Sequence, residues 1–451
     1  SINELQNLIP PSTFHSTMAS LMSIKLFSYV LATLLISTSS SATAVFDIGA
    51  VINEQSPIGK EQIVAMRMAV QAFNNQSDTL KIKITKKNPR IGVLSYANAA
   101  EELIREDKVK AIIGMNELVD AAEVGEIGSQ ANIPVVSFSE PVVSPQFVRT
   151  QWPFLVSMAS DDAEQIKCIS AIIRAYEWKR IVAVYEENPF GGSSGKLALL
   201  GEELQAFNSE IEYNLAIPPL YTMSSPEFTI ENALRKLAEV KSRVFVVLQM
   251  SLPVTVQLFQ LAKNMGLIEP NTVWIVSESV VNYLDMLNCP VTHLMEGFLG
   301  VRSYYPTDTA DYHTFRKQFS KEMIEEYPDD EILSPGLNSL RAYDAITTIT
   351  NALKKSPQSF NDSKRLLAAI LSSDFEGKSG RIKFNKGRLS NNKLLRVVNV
   401  IGKSYKELDF WLPGYGFSRN FSDTKGEDDA EKLTSHVIWP GYIQGVPKGW
   451  A

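Results

Sequence analysis

Bond chemistry would need a nucleophile beside a base, a metal cage or paired acids at a fixed spacing. Gly191-Gly192-Ser193-Ser194-Gly195 matches the G-x-S-x-G of a nucleophile elbow and falls between a predicted strand and a predicted helix. An elbow places its Ser at the very tip of the strand. Here Glu186 through Gly192 intervene, and the later histidines His293, His313 and His436 stand in no recognisable setting. A glycine-rich loop ahead of a helix is the plainer explanation, and an α/β hydrolase using Ser193 is kept only as the alternative of another class. Gly377-Lys378-Ser379 resembles the end of a phosphate-binding loop, yet Ser372 stands where the leading Gly should be and a strand follows instead of a helix. Four scattered histidines and two cysteines offer no metal-ligand spacing. Asp161-Asp162 and Asp329-Asp330 sit at helix starts or loops, where capping is their ordinary use. No catalytic site assembles, and neither metal nor cofactor is expected.

The stretch with a binding chemistry is Val109–Phe138. Ala111, Ile112 and Ile113 form an apolar strand that runs into Gly114, an amphipathic helix follows, and Pro134 opens a second strand, Val135–Phe138. Such a βαβ crossover is almost always right-handed, so the turn after its first strand lies at the carboxyl edge of a parallel sheet, where ligands bind. Helix N–H groups there favour an anion. This chain puts Asn116, a good cap, and Glu117 at that place. The Glu117 carboxylate complements the helix dipole by roughly 0.3–1 kcal/mol and repels an arriving ligand carboxylate. The anion site is thus expected to be already occupied.

Around this unit the chain has 451 residues, 45% hydrophobic and 21% charged, with a net charge of -6. That is a globular composition, long enough for more than one domain. It lacks the basic stripe of a nucleic-acid surface. Met18, Lys25, the apolar run Leu26–Ile36 and Ala42-Thr43-Ala44 read as a secretory signal peptide over 18–44, with an uncleaved anchor as the alternative. Residues 1–17 show no pattern and are set aside as unstructured or artefactual. Asn75, Asn361 and Asn420 each open an N-glycosylation sequon, in keeping with an exported chain. Cys168 and Cys289 could form one bridge or be two buried small hydrophobes.

From Val45 onward short apolar strands alternate with amphipathic helices, the pattern of parallel sheets covered on both faces. The spacing predicts an α/β fold of two lobes, each a mostly parallel sheet flanked by helices, facing each other across a cleft. Expected boundaries are 45–153 for lobe 1, 154–300 for lobe 2, 301–375 for a return to lobe 1, 376–411 for closing strands of lobe 2, and 412–451 for a linker tail. The repeated crossings imply a hinge of several strands.

In order along the chain, Phe46–Ile52 with Gly59-Lys60, Ala99–Ile104, Lys110–Gly114, Ile133–Ser139, Trp178–Tyr185, Ser242–Val247, Tyr343-Asp344-Ala345 and Val400–Ser404 with Phe410-Trp411 resemble plant glutamate-receptor-like channels. The tail Val437–Gly441 followed by Val446–Trp450 is the most specific match. The resemblance covers residues 45–451 and implies a type 1 periplasmic-binding-protein fold, the amino-terminal extracellular domain of such a receptor. The channel parts that would follow Pro447-Lys448-Gly449-Trp450 are not in this chain. It also implies a cleft pocket, in which Ser137, Ser139, Phe190 and Ser277 are candidate ligand contacts and Glu278 could meet an amine. Glu117, Leu118, Glu140 and Pro141 stand where relatives carry hydroxyl or small residues, and the Leu118 side chain and Pro141 cannot donate a hydrogen bond. The implied partners are a small amino acid and, through one lobe face, a second copy or another receptor subunit. Membrane contact is expected only through the channel region or an uncleaved anchor. The implied place is the secretory pathway and the outer face of the plasma membrane. A self-standing secreted amino-acid-binding or decoy protein is the nearer alternative.

Overall fold

The computed structural model describes residues 43–89, 95–139, 145–160, 163–187, 192–237, 239–285, 291–329, 334–390, 394–402, 404–419, 433, 435–442 and 445–450. The chain opens with β1 (Ala44–Val51), α1 (Pro57–Gln76), β2 (Leu80–Lys87), α2 (Ser95–Arg105), β3 (Ala111–Gly114), α3 (Leu118–Ala131), β4 (Val135–Ser137), α4 (Pro145–Gln151) and β5 (Leu155–Ser160). It continues with α5 (Ala163–Ala175), β6 (Arg180–Glu186), α6 (Gly192–Gln205), β7 (Glu210–Ile217), α7 (Pro226–Leu237), β8 (Val244–Val247), α8 (Leu252–Asn264), β9 (Val273–Val276), α9 (Glu278–Val281) and β10 (Leu299–Ser303). The last third holds α10 (Ala310–Glu326), α11 (Leu337–Lys355), α12 (Ser363–Leu371), β11 (Asp374–Gly377), β12 (Gly380–Asn385), β13 (Arg388–Leu389), β14 (Leu395–Ile401), β15 (Ser404–Leu412) and β16 (Gly416–Ser418).

These strands make two eight-stranded sheets, β11-β12-β13-β5-β4-β3-β1-β2 and β16-β15-β14-β10-β9-β8-β6-β7. The middle of each is parallel, and antiparallel strands extend one edge. Parallel strands buried on both faces read as unbroken apolar runs. In β6, Val182 and Val184 face one core while Ile181, Ala183 and Tyr185 face the other. Phe245 and Val247 of β8 repeat that division against Val244 and Val246. A stack of Phe245, Trp274 and Phe298, with centroids 4.5 and 5.5 Å apart, fills the first of these cores. The two-lobed α/β expectation is met.

Several expected boundaries differ. Leu155–Ser160 is a strand of the first sheet, with Ser157 in register with Ser137, so lobe 1 runs past residue 153. The return to lobe 1 does not begin at residue 301, since Leu299–Ser303 is a strand of the second sheet paired with both β9 and β14. The hairpin β11–β12 belongs to the first sheet, joined through β13 to β5, and only β14–β16 close the second. The chain therefore changes sheet after β5, after β10 and after β13. The far end of the expected linker tail is anchored to the second lobe. Val437 and Trp439 are buried in its core, Asn399 bonds both the N–H and the carbonyl of Ile438, and Trp178 Nε1 donates to Pro447 O at 3.0 Å.

Candidate functional site

At the end of β3 the chain needs a conformation that only glycine adopts easily. Gly114 has φ +136, and a Cβ there would lie 2.1 Å from Val51 O. Met115 follows with φ 57, so the backbone turns sharply and delivers Asn116 and Glu117 to the head of α3. The cap expected of Asn116 does not form. Glu117 takes the N-cap position without a side-chain cap bond, and Asn116 exchanges two amide hydrogen bonds, 2.7 and 3.1 Å, with Gln62 of α1. An amide needs both a donor and an acceptor, and another amide supplies both.

The carboxyl ends of the second sheet face this edge. Between them lies a cavity of about 70 Å³. Ile58, Asn116, Glu117 and Phe138 line it from the first lobe, and Gln249, Met250, Ser279, Asn282 and Tyr283 from the second. Asn338 and Arg341 of α11 complete the wall. A hollow of this size has room for about two waters at roughly 30 Å³ each. A larger hollow of about 700 Å³, between α1 and α10, is walled by charged side chains such as Arg67, Lys321 and Glu322, and Arg67 is already paired with Glu322 and Glu326.

The electrostatics of the cleft centre on one buried ion pair. Arg341 Nη2 donates to Glu278 Oε1 at 2.7 Å, with side-chain exposures of 6% and 1%. The other Glu278 oxygen accepts the Ser303 N–H at 2.5 Å. Burial works to raise the Glu278 carboxyl, but the Arg341 charge and the Ser303 donor outweigh it and hold it below the ordinary range. Arg341 Nε, Gln249 Oε1 and Asn282 Oδ1 remain buried without a hydrogen-bond partner. Each such atom costs roughly 1–3 kcal/mol unless water or a ligand meets it. Beside the cleft, burial and then the charge of Asp285 push the Glu61 carboxyl well above its usual value. Asp285 itself is held by Arg302 through two bonds, 2.9 and 2.7 Å, and by the Tyr405 hydroxyl at 2.7 Å.

Residues 63–403 match the family model described as the receptor family ligand binding region. The chain belongs to that family. Among curated relatives it is 28% identical to glutamate receptor 2.3 of Arabidopsis thaliana over 433 residues, 90% of this chain and 46% of the relative. It is 30% identical to glutamate receptor 2.2 of the same plant over 384 residues, 79% of this chain and 40% of the relative. The chain thus spans less than half the length of these receptors. Among solved structures, the leucine-binding protein LivK of Thermotoga maritima superposes with a TM-score of 0.63 at 17% identity, covering 82% of this chain and 99% of that one. A solute-binding protein of Rhodopseudomonas palustris in complex with 4-hydroxybenzoate gives 0.67 at 14%, covering 82% and 97%. These are two-lobed periplasmic-binding-protein folds, and the receptor region shares the fold with them.

Within the receptor region the residues expected in the pocket divide. Ser137 and Ser139 are buried and share a hydrogen bond of 3.1 Å, while Phe138, just past the end of β4, lines the cavity. The Ser277 hydroxyl donates to Leu248 O and lies 3.0 Å from that of Ser279. Glu278, expected to meet an amine, meets Arg341 instead. Glu117 lines the cavity, and Leu118 is buried in the core. Phe190, Glu140 and Pro141 lie outside the described residues. Cys168 is a free thiol whose pKa burial pushes up, and Cys289, its expected partner, lies outside the described residues. Asn75 and Asn361 are exposed, and Asn420 lies outside the described residues. Ser193 sits inside the first turn of α6 and not at a strand tip, which removes the elbow geometry.

Sequence reasoning missed Arg341, Asn282 and Gln249. The signal for Arg341 was present. It stands between Leu340 and Ala342 on a stretch of α11 that the apolar spacing buries, and a buried charge must have a partner. The phosphate-loop likeness of Gly377-Lys378-Ser379 also has an explanation. The backbone N–H groups of Lys378 and Ser379 donate to the Asp344 carboxylate at 2.8 and 2.7 Å, and the Ser379 hydroxyl adds a bond of 2.6 Å. The turn does cradle an anion, and that anion is a side chain of α11.

Proposed function

We propose that this chain works as the extracellular ligand-binding region of a glutamate-receptor-like channel, its lobes closing on a compact amino acid. The three buried polar atoms left without partners around the cavity, Arg341 Nε, Gln249 Oε1 and Asn282 Oδ1, carry the proposal. One is a cationic donor suited to a carboxylate; the other two are acceptors suited to an ammonium. Closure would be a population shift limited by the ligand's differential affinity for the two arrangements. No bond is made or broken in this role. Exposed Asn75 and Asn361 favour an exported, glycosylated chain. The small volume argues for glycine, alanine or serine over glutamate.

Calorimetric titration of the full chain with these four amino acids tests the proposal. One-to-one binding of a small one, weakened about tenfold by Asn282→Ala, is the expected result, since one hydrogen bond to a charged group is worth roughly 1.5–3 kcal/mol. Absence of heat with all four would sink it. A second copy or another receptor subunit would then be the partner, and light scattering with and without that subunit reads assembly directly.

A further inference from the structure

We propose that Arg341 determines what the cleft accepts, by filling from one lobe the cation position that Glu278 offers from the other. The role rests on the ligand-binding reading of the cleft and adds to it which group of the ligand is selected, and how.

Three observations carry it. Glu278 follows β9 at the carboxyl edge of the second sheet, its charge buried and directed across the cleft. Arg341 arrives from α11, a helix fixed to the first lobe by its packing on β5 and by the Asp344 bonds to Lys378 and Ser379. The pair at 2.7 Å is thus a contact between lobes, made by the chain's own cation, at a carboxylate fully shielded from water. Meanwhile Arg341 keeps Nε unpartnered at the cavity wall, beside the orphan oxygens of Gln249 and Asn282.

A free ammonium cannot reach Glu278 without displacing a guanidinium from a low-dielectric site, and breaking such a pair exposes an uncompensated buried charge. The cleft therefore selects a ligand through an oxygen acceptor placed on Arg341 Nε, with its donors on the two carboxamides. Amines without an acceptor group are refused. Arg341 is a specificity-determining residue, and it also makes closure partly independent of ligand.

Two variants of the full chain test this, each titrated with simple ions in place of an unidentified ligand. In Arg341→Ala the vacated position should take methylguanidinium with saturable one-to-one binding, at least about tenfold tighter than any binding by the unsubstituted chain. In Glu278→Gln the guanidinium loses its carboxylate and should bind acetate at least about tenfold more tightly than the unsubstituted chain. The second variant keeps an acceptor for the Ser303 N–H, so it remains readable if the first fails to fold. Arg341→Ala/Glu278→Gln should answer to neither ion. Unchanged acetate affinity in Glu278→Gln overturns the proposal, as does methylguanidinium binding that persists in the double variant. An unsubstituted chain that binds no amino acid defeats the proposed function but leaves both ion titrations as they stand.

Discussion

At the scale of single residues, the buried charges of α11 explain features of distant segments. Asp344 is 1% exposed, and two backbone N–H groups and a hydroxyl of the 377–379 turn satisfy it. Gly377 is needed because a Cβ there would stand 2.5 Å from Asp344 Oδ2. Burial raises the Asp344 carboxyl to about 6 from its ordinary 3.8, against the pull of the Ser379 and Lys378 donors. A carboxyl raised in the folded state contributes stability that is complete below the unfolded value and is lost as pH rises through the folded one. Unfolding by urea should therefore show stability falling between pH 3.8 and about 6, and Asp344→Asn should make that slope shallower. At neutral pH the same substitution should cost about 1–3 kcal/mol, because an amide nitrogen would face the donors that the carboxylate oxygen now accepts. A variant as stable as the parent at pH 7 would show that the cradle contributes nothing. Both halves of this contact were visible in the sequence, as Tyr343-Asp344-Ala345 and Gly377-Lys378-Ser379. Their meeting was not, because a turn that binds an anion looks the same whether the anion is a phosphate or an aspartate 33 to 35 residues earlier.

At the scale of elements, the inner strands of the two sheets were legible because they are unbroken apolar runs, and the helices between them because their apolar residues recur at helical spacing. Sheet membership was less so. The pattern Gly380–Phe384 announces a strand, but nothing local tells an antiparallel hairpin which of two edges it will extend; β13, only Arg388–Leu389, makes that choice by pairing with β5. The tail was misjudged for a related reason. Its polar, acidic middle reads as linker, while Trp439 anchors it among Tyr176 and Trp178 at 5.3 and 5.9 Å. Removing that ring should destabilise the second lobe by about 3–5 kcal/mol, the usual loss when a buried Trp becomes Ala. Denaturation of Trp439→Ala followed by near-ultraviolet dichroism checks this. A change below about 1 kcal/mol would mean that the tail only rests on the surface.

At the scale of the whole chain, opposite pH responses meet where the lobes touch. Glu278 lies below its ordinary range and contributes stability above the unfolded value near 4.5 that is lost as pH falls through the folded one. Glu61, raised by burial and by Asp285, behaves in the other sense. Its contribution is complete below 4.5 and disappears as pH climbs through the elevated folded value, where two carboxylates would face each other. Arg302 cannot relieve that repulsion fully, since its guanidinium already binds Asp285 together with the Tyr305 and Tyr405 hydroxyls. On the Glu61 side the Gly336 backbone supports the charged form. The arrangement in which Arg341 grips Glu278 should thus be most stable near pH 4.5, where both contributions are complete, and should weaken as pH rises from there. Glu61→Gln keeps the shape and removes this one titration, so its stability should decline less steeply than the parent's over the same range, the Asp344 share remaining. Chemical denaturation of both chains in steps from pH 4.5 to 9, at low and at high salt, provides the comparison. Because the groups are buried, the difference between the chains should survive at 1 M salt, where surface pairs are screened within about 3 Å. Parallel declines in parent and variant would place the pH dependence elsewhere and leave Glu61 a neutral, merely packed side chain.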